Sequence, residues 1–180
     1  MDLMEYITED DKRILHNKRF IKMSPNEWGI SVAIINQYIQ ASLLKIHYED
    51  TFIELDDIKK IYPNIQENIR GFDFLLKKND KFYRVQSKIR QIKGYDPYSC
   101  KVSIKTSRKK KGPYNNNEFD YLFVSLINIK KDYQNRININ NWGFSFIPIE
   151  VLRDPSNNNF LMKEVPSSIL RKYQINFLKK

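Results

Sequence analysis

The chain has 180 residues, of which 41% are apolar and 13% aromatic, so it is long enough for one domain with a sizeable core and too apolar for a disordered protein. Lysine and arginine outnumber aspartate and glutamate by 31 to 21, a formal net charge of +10, which favours a polyanionic partner such as nucleic acid. The single cysteine, Cys100, excludes an internal disulfide, and His16 and His47 lack the spacing of a zinc site.

The N-terminal sequence is not expected to be a signal peptide or a membrane-spanning helix. It begins MDLMEYITEDDKR, which is acidic, and no window of about 18 apolar residues follows anywhere in the chain. We therefore expect an intracellular protein, in the cytoplasm or the nucleus, that is neither secreted nor membrane-bound. We also expect residues 1–180 to form a single domain, with a core at 24–151 and a C-terminal covering segment at 152–180.

The first strong element is a helix that starts at Ser24. Ser24 suits the N-cap, Pro25 suits the first helical position, and Glu27 stands three residues after the cap. Apolar residues then recur at spacings of three and four, which predicts a helix with one face packed on a sheet. They are Trp28, Val32, Ile35, Ile39, Leu43 and Ile46.

The stretch from residue 47 to 70 fits two patterns. Residues 51–55 have the composition of a short strand, whereas residues 55–65 have the spacing of a helix interrupted near Pro63. Both interpretations stay open from the sequence.

The most informative stretch is residues 71–90, GFDFLLKKNDKFYRVQSKIR. Two apolar and aromatic runs of strand length flank a polar turn centred on Asn79 and Asp80, which predicts a β-hairpin. With Asn79 and Asp80 as the two loop residues, Asp73 lies directly opposite Gln86, and their Cβ atoms are about 5 Å apart.

Alternation along the second strand separates a polar face from an apolar one. The polar, basic face carries Phe82, Arg84, Gln86, Lys88 and Arg90, and the apolar face carries Tyr83, Val85, Ser87 and Ile89. The Asp73 carboxylate, the Gln86 amide oxygen and the Ser87 carbonyl are hard oxygen ligands of the kind that Mg²⁺ prefers. The ammonium of Lys88 can orient or help to deprotonate an attacking water, or offset charge on a phosphate.

An Asp followed, after a hairpin, by Gln-x-Lys resembles the PD-(D/E)XK nuclease superfamily, with Asp73, Gln86 and Lys88 as the matching residues. Two positions depart from its pattern. Phe72 stands where the name-giving Pro would be, and Gln86 replaces the usual acidic residue, although Gly-x-Asp openings and Gln-x-Lys variants resemble known branches. The alternative interpretation is an amphipathic hairpin whose solvated face carries Asp, Gln and Lys.

The resemblance implies an α/β protein with a restriction-endonuclease-like core, in which a mixed central sheet of about four or five strands is flanked by helices. It implies a DNA endonuclease that depends on Mg²⁺, with Mn²⁺ as a substitute. Asp73, Gln86 and the Ser87 carbonyl would hold the metal, and Lys88 would position or activate the water. Glu27 has two competing interpretations, because related nucleases carry a metal-binding Glu on the preceding helix and a capping box gives the same residue a local role.

The resemblance further implies cleavage that leaves a 5′ phosphate. A site-specific enzyme of the restriction or homing kind is the sharper expectation, and a homodimer is then expected in order to cut both strands. No small-molecule cofactor is expected. The alternative is a non-catalytic, basic nucleic-acid-binding protein on a degenerate nuclease fold, and the neutral Gln86 is the best argument for it.

Basic residues continue beyond the hairpin. Cys100, Val102 and Ile104 alternate with polar residues as a predicted third strand, and KTSRKKK at 105–111 then runs into a Gly-Pro loop. A charge run is often only a solvated surface, and the functional interpretation is contact with phosphates, with Tyr114 stacking on a base or ribose. The phosphate-contact candidates are Arg84, Arg90, Lys101, Lys105, Arg108, Lys109, Lys110 and Lys111.

The last third of the chain completes the predicted sheet. Residues 119–129 are apolar on both alternating sets, which predicts a central strand covered on both sides. Asp120, at its start, is interpreted as a local cap or as the partner of a nearby Lys. Residues 142–151 contain Pro148 and predict an edge strand, and the tail from residue 163 predicts a short helix that covers the sheet.

Overall fold

A mixed five-stranded sheet packs against a long N-terminal helix in the computed structural model, which makes the protein an α/β fold. The structure describes residues 25–46, 48, 50–52, 54–65, 71–92, 96–104, 114–128 and 142–175. The helices are α1 (Pro25–Lys45), α2 (Leu55–Ile61) and α3 (Ser167–Lys172). The strands are β1 (Asp50–Phe52), β2 (Phe74–Lys78), β3 (Lys81–Ile92), β4 (Val102–Ser103), β5 (Tyr121–Asn128), β6 (Gly143–Pro148), β7 (Arg153–Asp154), β8 (Asn157–Leu161) and β9 (Glu164–Val165).

The strand order of the main sheet is β1-β2-β3-β5-β6. β3 and β5 run parallel, and the other neighbours are antiparallel. The predicted mixed sheet of four or five strands is therefore confirmed. Among the described helices, none is both long enough and apolar enough to span a bilayer.

The β2–β3 hairpin has the register predicted from its turn. Asn79 and Asp80 both have positive φ, 50° and 59°, which is the backbone of a type I′ two-residue turn. Lys78 pairs with Lys81, and the ladder runs back to the pair of Phe74 with Val85. The ladder ends at this pair, and Asp73 lies immediately before β2, where its N–H donates to the Val85 carbonyl.

Two apolar cores lie on the two faces of the sheet. On the α1 side, Phe74 and Val85 pack with Val32 and Leu43 of the helix. On the other side, a second core is covered by α2, α3, β4 and β9. β5 contributes to both cores, as predicted for a central strand: Phe123 and Ile127 face α1, and Leu122, Val124 and Leu126 face the second core.

Helix α1 begins at Pro25, in agreement with the predicted start. Val32, Ile39 and Leu43 of its predicted apolar face are buried. Ile46 follows the last helical residue and is exposed, and the side chain of Trp28 lies outside the described residues.

The ambiguous stretch contains both predicted elements. Strand β1 occupies Asp50–Phe52, and α2 occupies Leu55–Ile61. The helix ends before Pro63, which lies in a turn.

The predicted third strand is present but lies outside the main sheet. Val102 is buried and Lys101 and Ser103 are exposed, so the alternation is correct, but β4 pairs with β9 in a separate two-stranded sheet. The neighbour of β3 is instead the parallel strand β5. A parallel pair needs a long crossover connection, and β4 belongs to that crossover.

The C-terminal predictions are confirmed. In the main sheet β6 pairs with β5 alone and ends at Pro148, so it is an edge strand. Helix α3 buries Leu170 in the second core, which covers the sheet on the side away from α1.

Candidate functional site

Asp73 and Gln86 contact each other at the open end of the β2–β3 hairpin. The backbone N–H of Asp73 donates to the carbonyl of Val85 at 2.9 Å, which fixes Asp73 against β3. The amide Nε2 of Gln86 donates to Oδ2 of Asp73. Gln86 is 6% exposed, so this pair is sheltered from water.

Ser87 brings its backbone to the same place. Its N–H donates to Asp73 Oδ2 at 2.6 Å, and its carbonyl oxygen accepts from Gln86 Nε2 at 3.1 Å. The Gln86 nitrogen therefore contacts a carboxylate oxygen and a carbonyl oxygen at once. A cation could also be held between these two oxygens, at the place of the Gln86 nitrogen. Rotation of the Gln86 side-chain amide by 180° exchanges its nitrogen for its oxygen.

This donor set fits a hard cation such as Mg²⁺. Asp73, the Gln86 amide and the Ser87 carbonyl supply three oxygens, and Mg²⁺ usually keeps several waters and takes one or two carboxylates. Within the described part of the chain, no group of three His, Cys, Asp or Glu side chains is placed to hold a metal. A site of the zinc type does not fit this hairpin.

Lys88 lies on the same face of β3 as Gln86, away from α1. Its Nζ donates to the hydroxyl of Tyr114 at 3.2 Å and lies 5.4 Å from the centre of that ring. Burial lowers the pKa of Lys88, and the negative charge of Asp73 partly opposes that effect. The site thus combines a carboxylate with a lysine that loses its proton more easily than an exposed one.

The solvated-face interpretation of the hairpin is wrong at these positions. Gln86 is buried, and Lys88 is half-buried under the ring of Tyr114. Asp73 and Gln86 also form hydrogen bonds with each other, and Asp73 accepts one from the Ser87 backbone.

Two polar residues of α1, which were not predicted from the sequence, form hydrogen bonds to β3 from the α1 side of the sheet. Asn36 donates to Ser87 Oγ at 2.9 Å. Gln40 donates to the carbonyls of Lys88 and Phe123 at 3.4 and 3.1 Å and to Ser125 Oγ at 2.8 Å. The available signal was their spacing of four within the apolar face of the helix, where a polar residue needs a buried partner.

The phosphate-binding role expected of Arg84 is not supported. Its Nε and Nη2 bind the two carboxylate oxygens of Asp120 at 3.1 and 2.9 Å, and Nη1 donates to the Asn117 carbonyl at 2.6 Å. This two-pronged ion pair raises the pKa of Arg84 and occupies the geometry that would bind a phosphate. Asp120 has the local role predicted for it, with an arginine as partner in place of a lysine.

The stacking role expected of Tyr114 is also not supported. Its ring is 7% exposed and packs edge-on against Phe119, with the ring centres 5.4 Å apart. A ring this deeply buried presents no face to a base. Tyr114 joins the site through its hydroxyl instead.

The remaining candidates divide into exposed residues and residues outside the described ranges. Arg90 and Lys101 are exposed, as a phosphate contact requires. Glu27 lies in the first turn of α1, but its side chain is outside the described residues, so both of its interpretations stay predictions. The basic candidates that also lie outside those residues are Lys105, Arg108, Lys109, Lys110 and Lys111.

The loop of residues 114–120 reaches the hairpin next to these groups. A Cβ on Gly71 would lie 2.7 Å from Cβ and 2.9 Å from Oε2 of Glu118, so only a glycine allows this approach. Glu118 is held by Asn115, whose backbone N–H and side-chain amide both donate to Oε1 at 3.1 Å. The 114–120 loop therefore contacts the chain on both sides of the Asp73–Gln86 pair.

Comparison with known proteins adds little to this geometry. No family model matches the chain, and no curated protein matches it significantly. A solved structure titled "Crystal Structure of MepB" is similar at 14% identity, with a TM-score of 0.35, and covers 71% of this chain and 99% of that chain. A similarity at this level carries no argument about the function of this chain.

Proposed function

We propose that this protein is a metal-dependent nuclease that hydrolyses phosphodiester bonds in DNA, built on a restriction-endonuclease-like core. The observation that carries the proposal is the Gln86 amide, which contacts the Asp73 carboxylate and the Ser87 carbonyl together. Lys88 lies two residues after Gln86 on the same strand, on the same face and under the influence of the Asp73 charge. These are the residue types, in the order, on which the resemblance to the PD-(D/E)XK superfamily rests.

Each group has a distinct task under this proposal. Asp73 and the Ser87 carbonyl would hold the metal, and Gln86 would join them if its amide turned to present Oε1. A bound Mg²⁺ would supply Lewis-acid stabilisation of the charge on the phosphate.

Lys88 would position the attacking water and take its proton, and burial lowers the pKa of Lys88 and so raises the fraction that is neutral and able to act as a base. The water oxygen forms the new bond to phosphorus while the bond to the 3′ oxygen breaks. The products are a 5′ phosphate and a 3′ hydroxyl, whose proton comes from solvent.

The charge of the chain supports DNA as the substrate. The net charge is +10, and Arg90 and Lys101 are exposed and available for phosphate contacts. DNA is proposed over RNA because the resembling families mostly cut DNA. A site-specific enzyme of the restriction or homing kind, acting as a homodimer to cut both strands, is the more specific form of this proposal.

One observation favours a second candidate, a DNA-binding protein without catalysis. The Gln86 N–H donates to Asp73 and so satisfies this carboxylate without any metal. A glutamate at this position would instead repel Asp73 until a cation bound between them.

The test is incubation of the full chain with supercoiled plasmid and long genomic DNA in Mg²⁺, beside an EDTA control. The matched variants are Lys88→Ala and Lys81→Ala, since Lys81 is an exposed lysine at the other end of β3. The nuclease proposal predicts nicking or fragments that are lost in EDTA and in Lys88→Ala and kept in Lys81→Ala. Salt-sensitive DNA binding with no cleavage in Mg²⁺ or Mn²⁺ would instead identify the non-catalytic protein.

A further inference from the structure

We infer that Tyr114 is a positioning residue for Lys88, with its hydroxyl and ring fixing the lysine side chain and the 114–120 loop holding Tyr114 in place. The inference rests on the proposed nuclease function and deepens it, since it assigns a role in the site to a residue outside the Asp and Gln-x-Lys pattern. It also replaces the base-stacking role that the sequence suggested for the same residue.

The contact between the two side chains has two parts. Lys88 Nζ donates to the Tyr114 hydroxyl at 3.2 Å, and the same nitrogen lies 5.4 Å from the ring centre. A lysine has a long, flexible side chain with a charge at its tip. A hydroxyl acceptor together with the face of an aromatic ring limits the positions that this tip can take.

Tyr114 itself is fixed by its surroundings. The ring is buried in the second core, edge-on to Phe119. The Tyr114 carbonyl accepts from the backbone N–H of Leu161 at 2.9 Å, which ties the start of the loop to β8. The tyrosine is therefore a rigid support, and the lysine is the part that it restrains.

The 114–120 loop is fastened to the same two strands that carry the site. Asp120 binds the Arg84 guanidinium, and the Asp120 N–H donates to the Arg84 carbonyl at 2.8 Å. Glu118 lies against Gly71, two residues before Asp73. Because these contacts reach both sides of the hairpin, the position of the Tyr114 hydroxyl is set relative to Asp73 and Lys88 together.

The mobility of the Lys88 side chain reports this contact directly. Its ammonium donates to the Tyr114 hydroxyl, so loss of that hydroxyl removes an acceptor. The tip of the long lysine side chain then gains freedom.

The experiment compares Tyr114→Phe with Tyr98→Phe in the full chain. Tyr98 is a matched control, because its hydroxyl donates to the Phe144 carbonyl at 3.1 Å and accepts from the Phe144 N–H at 3.0 Å. Two quantities are measured. One is the NMR order parameter of the Lys88 Cε methylene in ¹³C-lysine-labelled protein, with its signal assigned by its loss in Lys88→Arg, and the other is single-turnover DNA cleavage across DNA concentrations.

Tyr114→Phe is expected to lower the order parameter of Lys88 and to slow cleavage about tenfold, with the half-saturating DNA concentration unchanged. Tyr98→Phe is expected to change neither quantity. A Lys88 order parameter that is the same in wild type and Tyr114→Phe, in a protein that cleaves DNA, overturns the inference and leaves the nuclease proposal standing. A lowered order parameter in a protein whose wild type never cleaves DNA overturns the nuclease proposal and with it the catalytic meaning of the contact.

A second variant, Asp120→Asn, tests the same inference if Tyr114→Phe does not fold. Asp120→Asn retains the tyrosine ring and hydroxyl but weakens the tie between the loop and Arg84. It is expected to slow cleavage and to lower the Lys88 order parameter by a smaller amount. A change in thermal stability with no change in the Lys88 order parameter would mean that the loop has only a structural role, and would overturn the inference.

Discussion

The side-chain amide of Gln86 donates a hydrogen bond to the carboxylate of Asp73 across the β2–β3 hairpin. The contact follows from a two-residue turn, because Asn79 and Asp80 both adopt positive φ and so fix the register back to the open end. In this hydrogen bond the amide nitrogen, and not its oxygen, faces the carboxylate. A metal has to displace this hydrogen bond in order to use the Gln86 oxygen.

Replacing Gln86 with glutamate tests this arrangement. Without metal, Gln86→Glu brings a second negative charge against Asp73, and we expect the free energy of unfolding to fall by on the order of 2 kcal/mol at neutral pH. With Mg²⁺ the new carboxylate is a stronger ligand, so the rise in melting temperature on adding Mg²⁺ is expected to be larger than in wild type.

Thermal unfolding with and without Mg²⁺ measures both effects. Gln91→Glu is the control, since Gln91 lies on the same strand beyond the site. An equal metal-induced rise in wild type and Gln86→Glu would count against a metal position between residues 73 and 86.

We expect Arg84 to have a structural role and Arg90 to contact DNA. Arg84 binds Asp120 and the Asn117 carbonyl, whereas Arg90 is exposed. We expect Arg90→Ala to reduce the slope of log affinity against log salt by about 1, and Arg84→Ala to leave that slope unchanged. We expect Arg84→Ala, in turn, to lower the free energy of unfolding by about 1–2 kcal/mol.

Fluorescence anisotropy with a labelled duplex at several salt concentrations measures the slope, and urea unfolding measures stability. A smaller slope of log affinity against log salt in Arg84→Ala, with unchanged stability, would mean that Arg84 does contact phosphates.

Burial of Lys88 makes its effect on stability depend on pH. Its pKa is lowered in the folded state, whereas in the unfolded chain it is about 10.4. Between these two values the unfolded state binds more protons than the folded state, so stability rises with pH in this window. Below the folded pKa both states are charged, and the cost of burying the ammonium is present in full.

The matching variant is Lys88→Met, which keeps the side-chain volume and removes the charge. We expect it to be more stable than wild type at pH 7, with a difference that shrinks as the pH rises toward 10. Urea unfolding at a series of pH values measures this difference, and a difference that does not vary with pH would contradict a buried, shifted lysine.

Gln40 ties β3 to β5 from the α1 side. It donates to two backbone carbonyls and to Ser125 Oγ while fully buried. We expect Gln40→Ala to cost about 2–3 kcal/mol, because it leaves a small cavity and removes the donor from these acceptors. Gln37→Ala, on the same helix but only half-buried, is expected to cost less than about 0.5 kcal/mol. Chemical denaturation of the two variants measures these losses of stability. Equal losses in Gln40→Ala and Gln37→Ala would contradict the role of Gln40 in joining β3 to β5.

The parts of the fold that were predictable depend on neighbouring residues. The turn at Asn79 and Asp80 fixes its own register, and the two apolar sets of β5 identify a strand covered on both sides. The helix likewise begins at Pro25, as the local sequence pattern predicted.

The parts that were missed depend on residues far apart in the chain. Arg84 meets Asp120, and Val102 meets Val165, through a crossover that no local pattern encodes. Asn36 and Gln40 were hidden for the same reason, since their acceptors lie on β3 and β5. A basic or aromatic residue type indicates what a side chain can bind, but burial at Tyr114 and pairing at Arg84 decide what it does bind.

The most direct test of the account is whether the hairpin binds a divalent metal through Asp73. Electron paramagnetic resonance of Mn²⁺, titrated into wild type, Asp73→Asn and Asp80→Asn, measures the bound fraction. Asp80 is a matched control, since its exposed carboxylate lies at the turn of the same hairpin. The account predicts saturable binding that Mg²⁺ competes away, that Asp80→Asn retains and that Asp73→Asn loses. Equal binding in wild type and Asp73→Asn, or none at millimolar Mn²⁺, would contradict it.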